Sequence, residues 1–211
     1  MQWKFDAKVA AEFDVIAQRQ IPNYDTVINR CIELARTEFP TNLNAKIIDV
    51  GSACGRTLTR LIDAGFTQSV GVESSPDMAA VSAHPDRVIL SAHFPSDRAP
   101  FNMVLANWTL HFIHNREAYM REIFNGLQSG GVFVLSERMQ GTPTSYQRYL
   151  DFKRSKGVSD ADILAKEAAL KGVLETRPLS WYLTTLETIG FKDIEIIDAA
   201  WCFNTIMCRK P

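Results

Sequence analysis

Residues 47–57 read Ile47-Ile48-Asp49-Val50-Gly51-Ser52-Ala53-Cys54-Gly55-Arg56-Thr57. A short apolar run that passes at once into small residues, and then into a helical pattern from Arg56 to Ala64 ended by Gly65, predicts a strand, a tight loop and a helix. Small residues at such a turn let the backbone approach a ligand closely, and glycine permits the positive φ the turn needs. A dinucleotide fingerprint would need G-x-G-x-x-G, whereas the glycines here are spaced G-x-x-x-G with Ala53 between them. A phosphate-binding P-loop would need G-x-x-x-x-G-K-[ST]; Gly55-Arg56-Thr57 comes one residue early and carries arginine in place of lysine.

Outward from this loop the chain alternates. Helices are expected over Ala7 to Gln20 and Tyr24 to Phe39, then strands over Lys46 to Val50, Ser69 to Glu73, Arg87 to Ser91, Phe101 to Ala106 and Val132 to Ser136. Helices fall between them: one opened by Pro76 and one from Asn115 to Leu127. Short Val- and Ile-rich runs bounded by turn residues are expected of strands buried on both faces, and their alternation with helices argues for a parallel sheet between helical layers. Pro143 to Lys156, Asp160 to Leu174 and Pro178 to Ile189 break the rhythm as successive helices. Phe191 to Asp198 and Trp201 to Arg209 then follow with almost no connection, so they must pair antiparallel. The expected fold is α/β: a three-layer α-β-α Rossmann-like sheet of seven mostly parallel strands closed by a C-terminal antiparallel hairpin. That topology matches the class I methyltransferase fold better than the all-parallel dehydrogenase sheet.

A further ligand, S-adenosyl-L-methionine, needs no phosphate cradle. It asks for an acceptor for its ribose hydroxyls and a carboxylate near its ammonium. Glu73 ends the second strand, where an acid meets ribose hydroxyls in nucleoside-binding α/β folds, with Ser74 beside it. Asp49 can place negative charge near the ammonium. The competing reading is an ordinary tight turn at Gly51 and Gly55, with Glu73 as a helix-start carboxylate.

After the fourth strand, Asn107-Trp108-Thr109-Leu110-His111-Phe112-Ile113-His114 leaves the sheet at the edge where open α/β folds place ligands. Asn107 can offer an amide to cofactor or substrate. The segment lacks the prolines of D/N-P-P-Y/F, so methylation of nucleic-acid base amines is not supported. Trp108 reads as packing, and Cys54 as a small turn residue. His111 and His114 could share a helical face, but no Cys, Asp or Glu at ligand spacing completes a metal site, and none is expected.

The 211 residues suit one domain, with residues 1–40 covering the cofactor and 143–189 inserted before the final hairpin. With 23 basic against 24 acidic residues, no global field draws the chain to nucleic acid or anionic membrane. No secretory leader is evident and Gln2 stands where myristoylation needs glycine, so the expectation is cytoplasmic. Cysteines 31, 54, 202 and 208 lack C-x-x-C spacing and read as reduced thiols. Between Arg138 and Arg177 eight basic residues face five acidic ones, which reads as a solvated helix face.

The chain also resembles the carboxy-S-adenosylmethionine synthases, a branch of the class I methyltransferase fold. The likeness runs through Phe5-Asp6, Val9-Ala10, Ile21-Pro22-Asn23-Tyr24, Ile48-Asp49-Val50-Gly51, Asn107-Trp108-Thr109-Leu110, Gly126-Leu127, Gly130-Gly131 and Leu135-Ser136-Glu137. It continues through Trp201-Cys202-Phe203-Asn204, and its family-specific pieces are Asp151-Phe152-Lys153-Arg154 and Cys202-Phe203-Asn204. The resemblance implies a cofactor-contacting tyrosine at Tyr24, a glycine loop at Gly51, Ser52 and Ala53, a ribose-binding acid at Glu73 and an active-site asparagine at Asn107. It also implies a homodimer, and a product serving tRNA wobble-uridine modification. Two positions depart from the family. Ala92-His93 stand where it has an aspartate beside the adenine, and Thr185 is placed where it has an arginine for the transferred carboxylate. The leading expectation is therefore methyl transfer from S-adenosyl-L-methionine to a small-molecule acceptor, leaving S-adenosyl-L-homocysteine, with Asn107 and His111 orienting the acceptor. Carboxy-S-adenosylmethionine synthesis from prephenate and a non-catalytic cofactor-binding module are the alternatives.

Overall fold

The computed structural model describes residues 3–211; the myristoylation reading at Gln2 lies outside the described residues. Helix α1, Ala7–Gln20, starts where the Asp6 carboxylate accepts the Val9 N–H at 3.0 Å. Helix α2, Tyr24–Glu38, turns Val27, Ile28, Cys31, Ile32 and Ala35 inward, the stripe that a period of 3.6 residues produces. The parallel units follow: β1 Ile47–Val50, α3 Arg56–Asp63, β2 Val70–Glu73, α4 Pro76–Ala80, β3 Val88–Leu90, β4 Phe101–Asn107, α5 Arg116–Gly126 and β5 Leu127–Arg138. Helices α6 Pro143–Ser155, α7 Asp160–Leu170 and α8 Leu179–Ile189 precede the hairpin of β6 Lys192–Ala200 and β7 Phe203–Arg209.

The sheet order is β3-β2-β1-β4-β5-β7-β6, with β7 antiparallel to both β5 and β6 and the remaining pairs parallel. Strand alternation sorts the core into two layers. Ile48 and Val50 pack with Met120 and Ile123 of α5 and Tyr182 and Leu186 of α8. Ile47, Met103 and Leu105 pack with Cys31 and Ile32 of α2 and Leu61 of α3. From β1 the chain crosses first to β2 and β3 on one side and then to β4 on the other. The crevice at this reversal, beyond the C-terminal ends of β1 and β4, is where open α/β sheets bind ligands.

Local patterning placed most elements within a residue or two. The differences come from long-range pairing. Strand β5 starts at Leu127, not Val132, because Leu127 pairs with Phe101 across a register shift. Helix α7 stops at Leu170 rather than Leu174, ahead of Gly172 at φ +75°. Strand β3 is a sheet edge, so Leu90 is exposed instead of buried on both faces. No helix among the described residues is long and apolar enough to cross a membrane.

Candidate functional site

One cavity of about 410 Å³ opens at the crevice. Its floor is the loop after β1. Gly51, Ala53 and Gly55 all have positive φ, at +69°, +50° and +78°. The N–H groups of Gly51 and Ser52 both donate to Val72 O, tying the loop to β2. A Cβ on Gly51 would lie 2.1 Å from Thr109 Oγ1, so only glycine fits beside the segment leaving β4. Glu73 braces the same loop: one carboxylate oxygen accepts the Ala53 N–H at 2.9 Å, and the other accepts the Ser75 N–H at 2.8 Å.

Asp49 also lines the cavity, is 3% exposed, and receives no hydrogen bond from any described residue. Burial, with the Glu73 charge adding to it, pushes its carboxyl up to about 8. An unpartnered buried carboxylate facing a cavity is a receptor for a cation.

The walls come from helices and the segment after β4. Phe13, Asp14 and Ala17 of α1 and Tyr24 of α2 line one wall together with Trp3 and Phe5. The Tyr24 hydroxyl donates to Asp14 at 3.3 Å, and its ring packs on Trp108 with centroids 4.9 Å apart. Trp108 thus packs and lines the cavity at once, from a left-handed backbone at φ +54°. Asn107 accepts the Ser136 hydroxyl at 2.8 Å and faces buried Cys31 Sγ through its amide nitrogen at 3.7 Å, which fixes the amide plane at the cavity wall. His111 is 4% exposed and lines the cavity, with Nδ1 2.6 Å from Glu137 Oε2. That approach lies outside hydrogen-bond alignment.

Of the residues singled out in the sequence, Tyr24, Asp49, Gly51, Ser52, Ala53, Glu73, Ser74, Ala92, Asn107 and His111 line this one cavity. Gly55 and His93 do not. Gly55 turns the loop against Ser82, and His93 is exposed. His114 is also exposed, so the two histidines after β4 share no face, because His111 sits in a 3-10 turn that ends before Ile113. Thr185 is buried on α8 and does not line the cavity.

The basic stretch is not a solvated face. Arg138, Lys153 and Lys166 line the cavity, and Lys153 is 1% exposed. Arg138 grips Glu167 with two nitrogens at 3.1 and 3.0 Å, and Lys153 Nζ reaches the same carboxylate at 3.1 Å. Lys166 has no carboxylate partner among the described residues; its ammonium sits 4.3 Å from the centre of the Trp3 ring. Burial and then the Lys153 charge hold Lys166 down to about 8. A local charge excess was visible in the sequence, but three cations from β5, α6 and α7 converge only in the folded chain.

A family model described as "Methyltransferase domain" matches residues 48–135. Carboxy-S-adenosyl-L-methionine synthase of Helicobacter hepaticus is 30% identical over 99% of this chain and 95% of its own length. The enzyme of that name from Photorhabdus laumondii is 30% identical over 99% of this chain and 89% of its own length. Among solved structures, a putative S-adenosyl-L-methionine-dependent methyltransferase of Methanococcus maripaludis superposes with a TM-score of 0.65 at 18% identity, covering 100% of this chain and 95% of its own. Phosphoethanolamine N-methyltransferase 2 of Haemonchus contortus, bound to S-adenosyl-L-methionine, gives a TM-score of 0.60 at 14% identity over 87% and 52% of the two chains. The sheet order and the superpositions define the class I methyltransferase fold, and the family model places a methyltransferase domain over residues 48–135. Within that class, the chain belongs to the carboxy-S-adenosyl-L-methionine synthase family.

The cavity's own chemistry fits S-adenosyl-L-methionine. Asp49 offers an unpartnered carboxyl to a cationic tail, and Gly51 lets Thr109 of the segment leaving β4 pack directly against the loop, so that loop and segment line one cavity.

Proposed function

We propose that the protein transfers the methyl group of S-adenosyl-L-methionine to a small acceptor that carries negative charge. The observation that supports this reading is the division of charge across one cavity. Asp49 and Glu73 stand at the ends of β1 and β2; Arg138, at the end of β5, stands with Lys153 and Lys166 on the far side. From β2 through β1 and β4 to β5 are three strand spacings, about 14 Å. A cationic cofactor settles over the acids and an anionic acceptor over the cations. The cofactor supplies an electrophilic methyl; the protein supplies alignment and charge. In this reading Glu73 accepts the ribose hydroxyls, Asp49 the ammonium, Tyr24 and Trp108 close over the ligand, and Asn107 and His111 orient the acceptor.

Glu73→Ala should weaken cofactor binding by about 1.5–3 kcal/mol, from loss of a charge-assisted hydrogen bond and of the Ala53 anchor. Calorimetric titration checks it, and an unchanged Kd places the ribose elsewhere.

A second reading draws on the names of the curated relatives: formation of carboxy-S-adenosyl-L-methionine, with prephenate as donor. Its support here is the same cationic wall, which could receive the new carboxylate. Mass spectrometry of the small molecule released from freshly purified protein separates the two. Carboxy-S-adenosyl-L-methionine, together with phenylpyruvate formed from added prephenate, establishes the second. S-adenosyl-L-homocysteine, with methylated products appearing when a cell metabolite extract is added, is the outcome expected of the first.

A further inference from the structure

Glu137 is fully buried at the end of β5, and both oxygens are engaged: Oε1 accepts the Leu110 N–H and Oε2 the His111 N–H, each at 2.8 Å. His111 Nδ1 lies against the same Oε2 at 2.6 Å and is the fully buried ring nitrogen left without an aligned partner. With Nδ1 turned to the carboxylate, Nε2 is the nitrogen left for the cavity that this side chain lines. Behind the pair, the Tyr182 phenol is kept protonated by burial and then by the neighbouring Glu137 charge. The hydroxyl of Tyr182 accepts Arg116 Nη1 at 2.9 Å.

Arg116 is itself 4% exposed and clamps the backbone around the histidine. Its Nε donates to Leu110 O and its Nη2 to Glu175 O, each at 2.8 Å, while the Glu175 N–H donates to His111 O. A buried arginine, tyrosine, glutamate and histidine thus end in one ring nitrogen at the cavity. Pure packing does not explain that investment of buried charge, because two ions taken out of water rarely gain net stability. A carboxylate behind a histidine does fix which nitrogen carries the proton and stabilises the imidazolium when the other nitrogen takes one up.

We infer that His111 is the general base for the acceptor, with Glu137, Tyr182 and Arg116 as its positioning residues. This rests on the methyl-transfer reading and names the acceptor's reacting group as a hydroxyl, phenolic or enolic. A neutral amine can attack without a base, whereas a hydroxyl that gains a methyl must lose its proton. The acceptor oxygen's lone pair forms the new O–C bond, the S–C pair stays on sulfur, and the O–H proton passes to His111 Nε2. Cation and proton balance: one sulfonium charge is lost and one imidazolium charge appears, to be released later to solvent.

The test has two arms on the full chain. In protein labelled with 15N-histidine and saturated with S-adenosyl-L-homocysteine, the His111 signal, assigned by its loss in His111→Gln, should show a protonated Nδ1 and a bare Nε2. Glu137→Gln should disturb that tautomer while retaining S-adenosyl-L-homocysteine affinity, which also certifies its fold. A bare Nδ1 with a protonated Nε2 overturns the proposal. In the second arm, methylation of a cell metabolite extract should yield O-methyl products. On the product-forming acceptor His111→Gln should lower kcat roughly 10²–10⁴-fold with KM little changed. N-methyl products, or a kcat within threefold of the parent, overturn it. Homocysteine-form binding with no methylated product would defeat the methyl-transfer reading itself, and this proposal with it, even if the tautomer is as expected.

Discussion

Asp49→Asn should make the ligand-free protein more stable and the cofactor site much weaker. The folded protein holds the Asp49 carboxyl at about 8 against an ordinary 3.8, through burial first and the Glu73 charge second. For an acid raised on folding, the unfolded chain releases its proton first, so stability is intact below pH 4 and drains away as pH rises toward 8. Asparagine does not titrate, so the variant's advantage grows over that window. The rise from 3.8 to about 8, at about 1.4 kcal/mol per pH unit, sets a ceiling of about 5–6 kcal/mol at pH 8, and the gain should appear as a raised Tm. Cofactor binding moves the other way, because asparagine cannot pair with an ammonium. The loss should be about 1.5–3 kcal/mol. Linkage supplies an internal check. In the parent protein the carboxyl must ionise to meet a cation, so affinity should rise with pH between 6 and 8, with release of a proton on binding. Titration calorimetry in buffers of different ionisation enthalpy measures that proton. A pH-independent Kd would mean that Asp49 does not face the cation.

Glu167→Ala should be the most damaging single change on the opposite wall. Burial works against the Glu167 carboxylate, but hydrogen bonding to Arg138 and the nearby Lys153 charge more than offset it and hold its pKa below the ordinary value. Removing it leaves Lys153, 1% exposed, and Arg138, whose side chain is 11% exposed, facing each other without an anion. Breaking a buried ion pair from one side costs about 3–5 kcal/mol. A fall in Tm of roughly 10–15 °C follows. Glu167→Gln keeps the shape and a hydrogen-bond acceptor, and should fall between the two. The carboxylate's contribution is present above its unfolded value of 4.5 and is lost as pH falls further, so parent and Ala variant should converge in acid. Chemical denaturation at pH 7 and pH 3 tests both statements; equal stability at pH 7 would show that the cations are solvated after all.

Both predictions turn on residues whose surroundings were unequally legible. Gly51, Asp49 and Glu73 lie within a single strand-loop-helix-strand unit, and their relation follows from spacing alone, since each element is short and its ends are marked by turn residues. Asn107 and His111 could be placed at the sheet's C-terminal edge for the same reason. Glu137 could not be joined to His111, because the two come together only when β4 and β5 pair in register, Asn107 opposite Ser136. Arg138, Lys153 and Glu167 were misread as surface charge, since periodicity reports which face of a helix is apolar but not whether a charged face is covered by another element. Tyr149 stacks against Arg138 and Lys153, closing that face from water. Gly55 and His93 erred the other way: both sit next in sequence to cavity residues, yet the loop turns Gly55 toward Ser82 and leaves His93 in solvent.

By itself, the sequence determined the α/β class, the antiparallel closing hairpin, the glycine loop and its acid, because these depend on local periodicity and on connection lengths too short for a crossover. Only the tertiary structure decided the polarity of the cavity and the chain of groups behind His111. Those depend on side chains from β5, α5, α6, α7 and α8 meeting across the sheet edge. In that dry space an unpaired carboxylate, a shared carboxylate and a clamped imidazole acquire properties that none of them has in an extended chain.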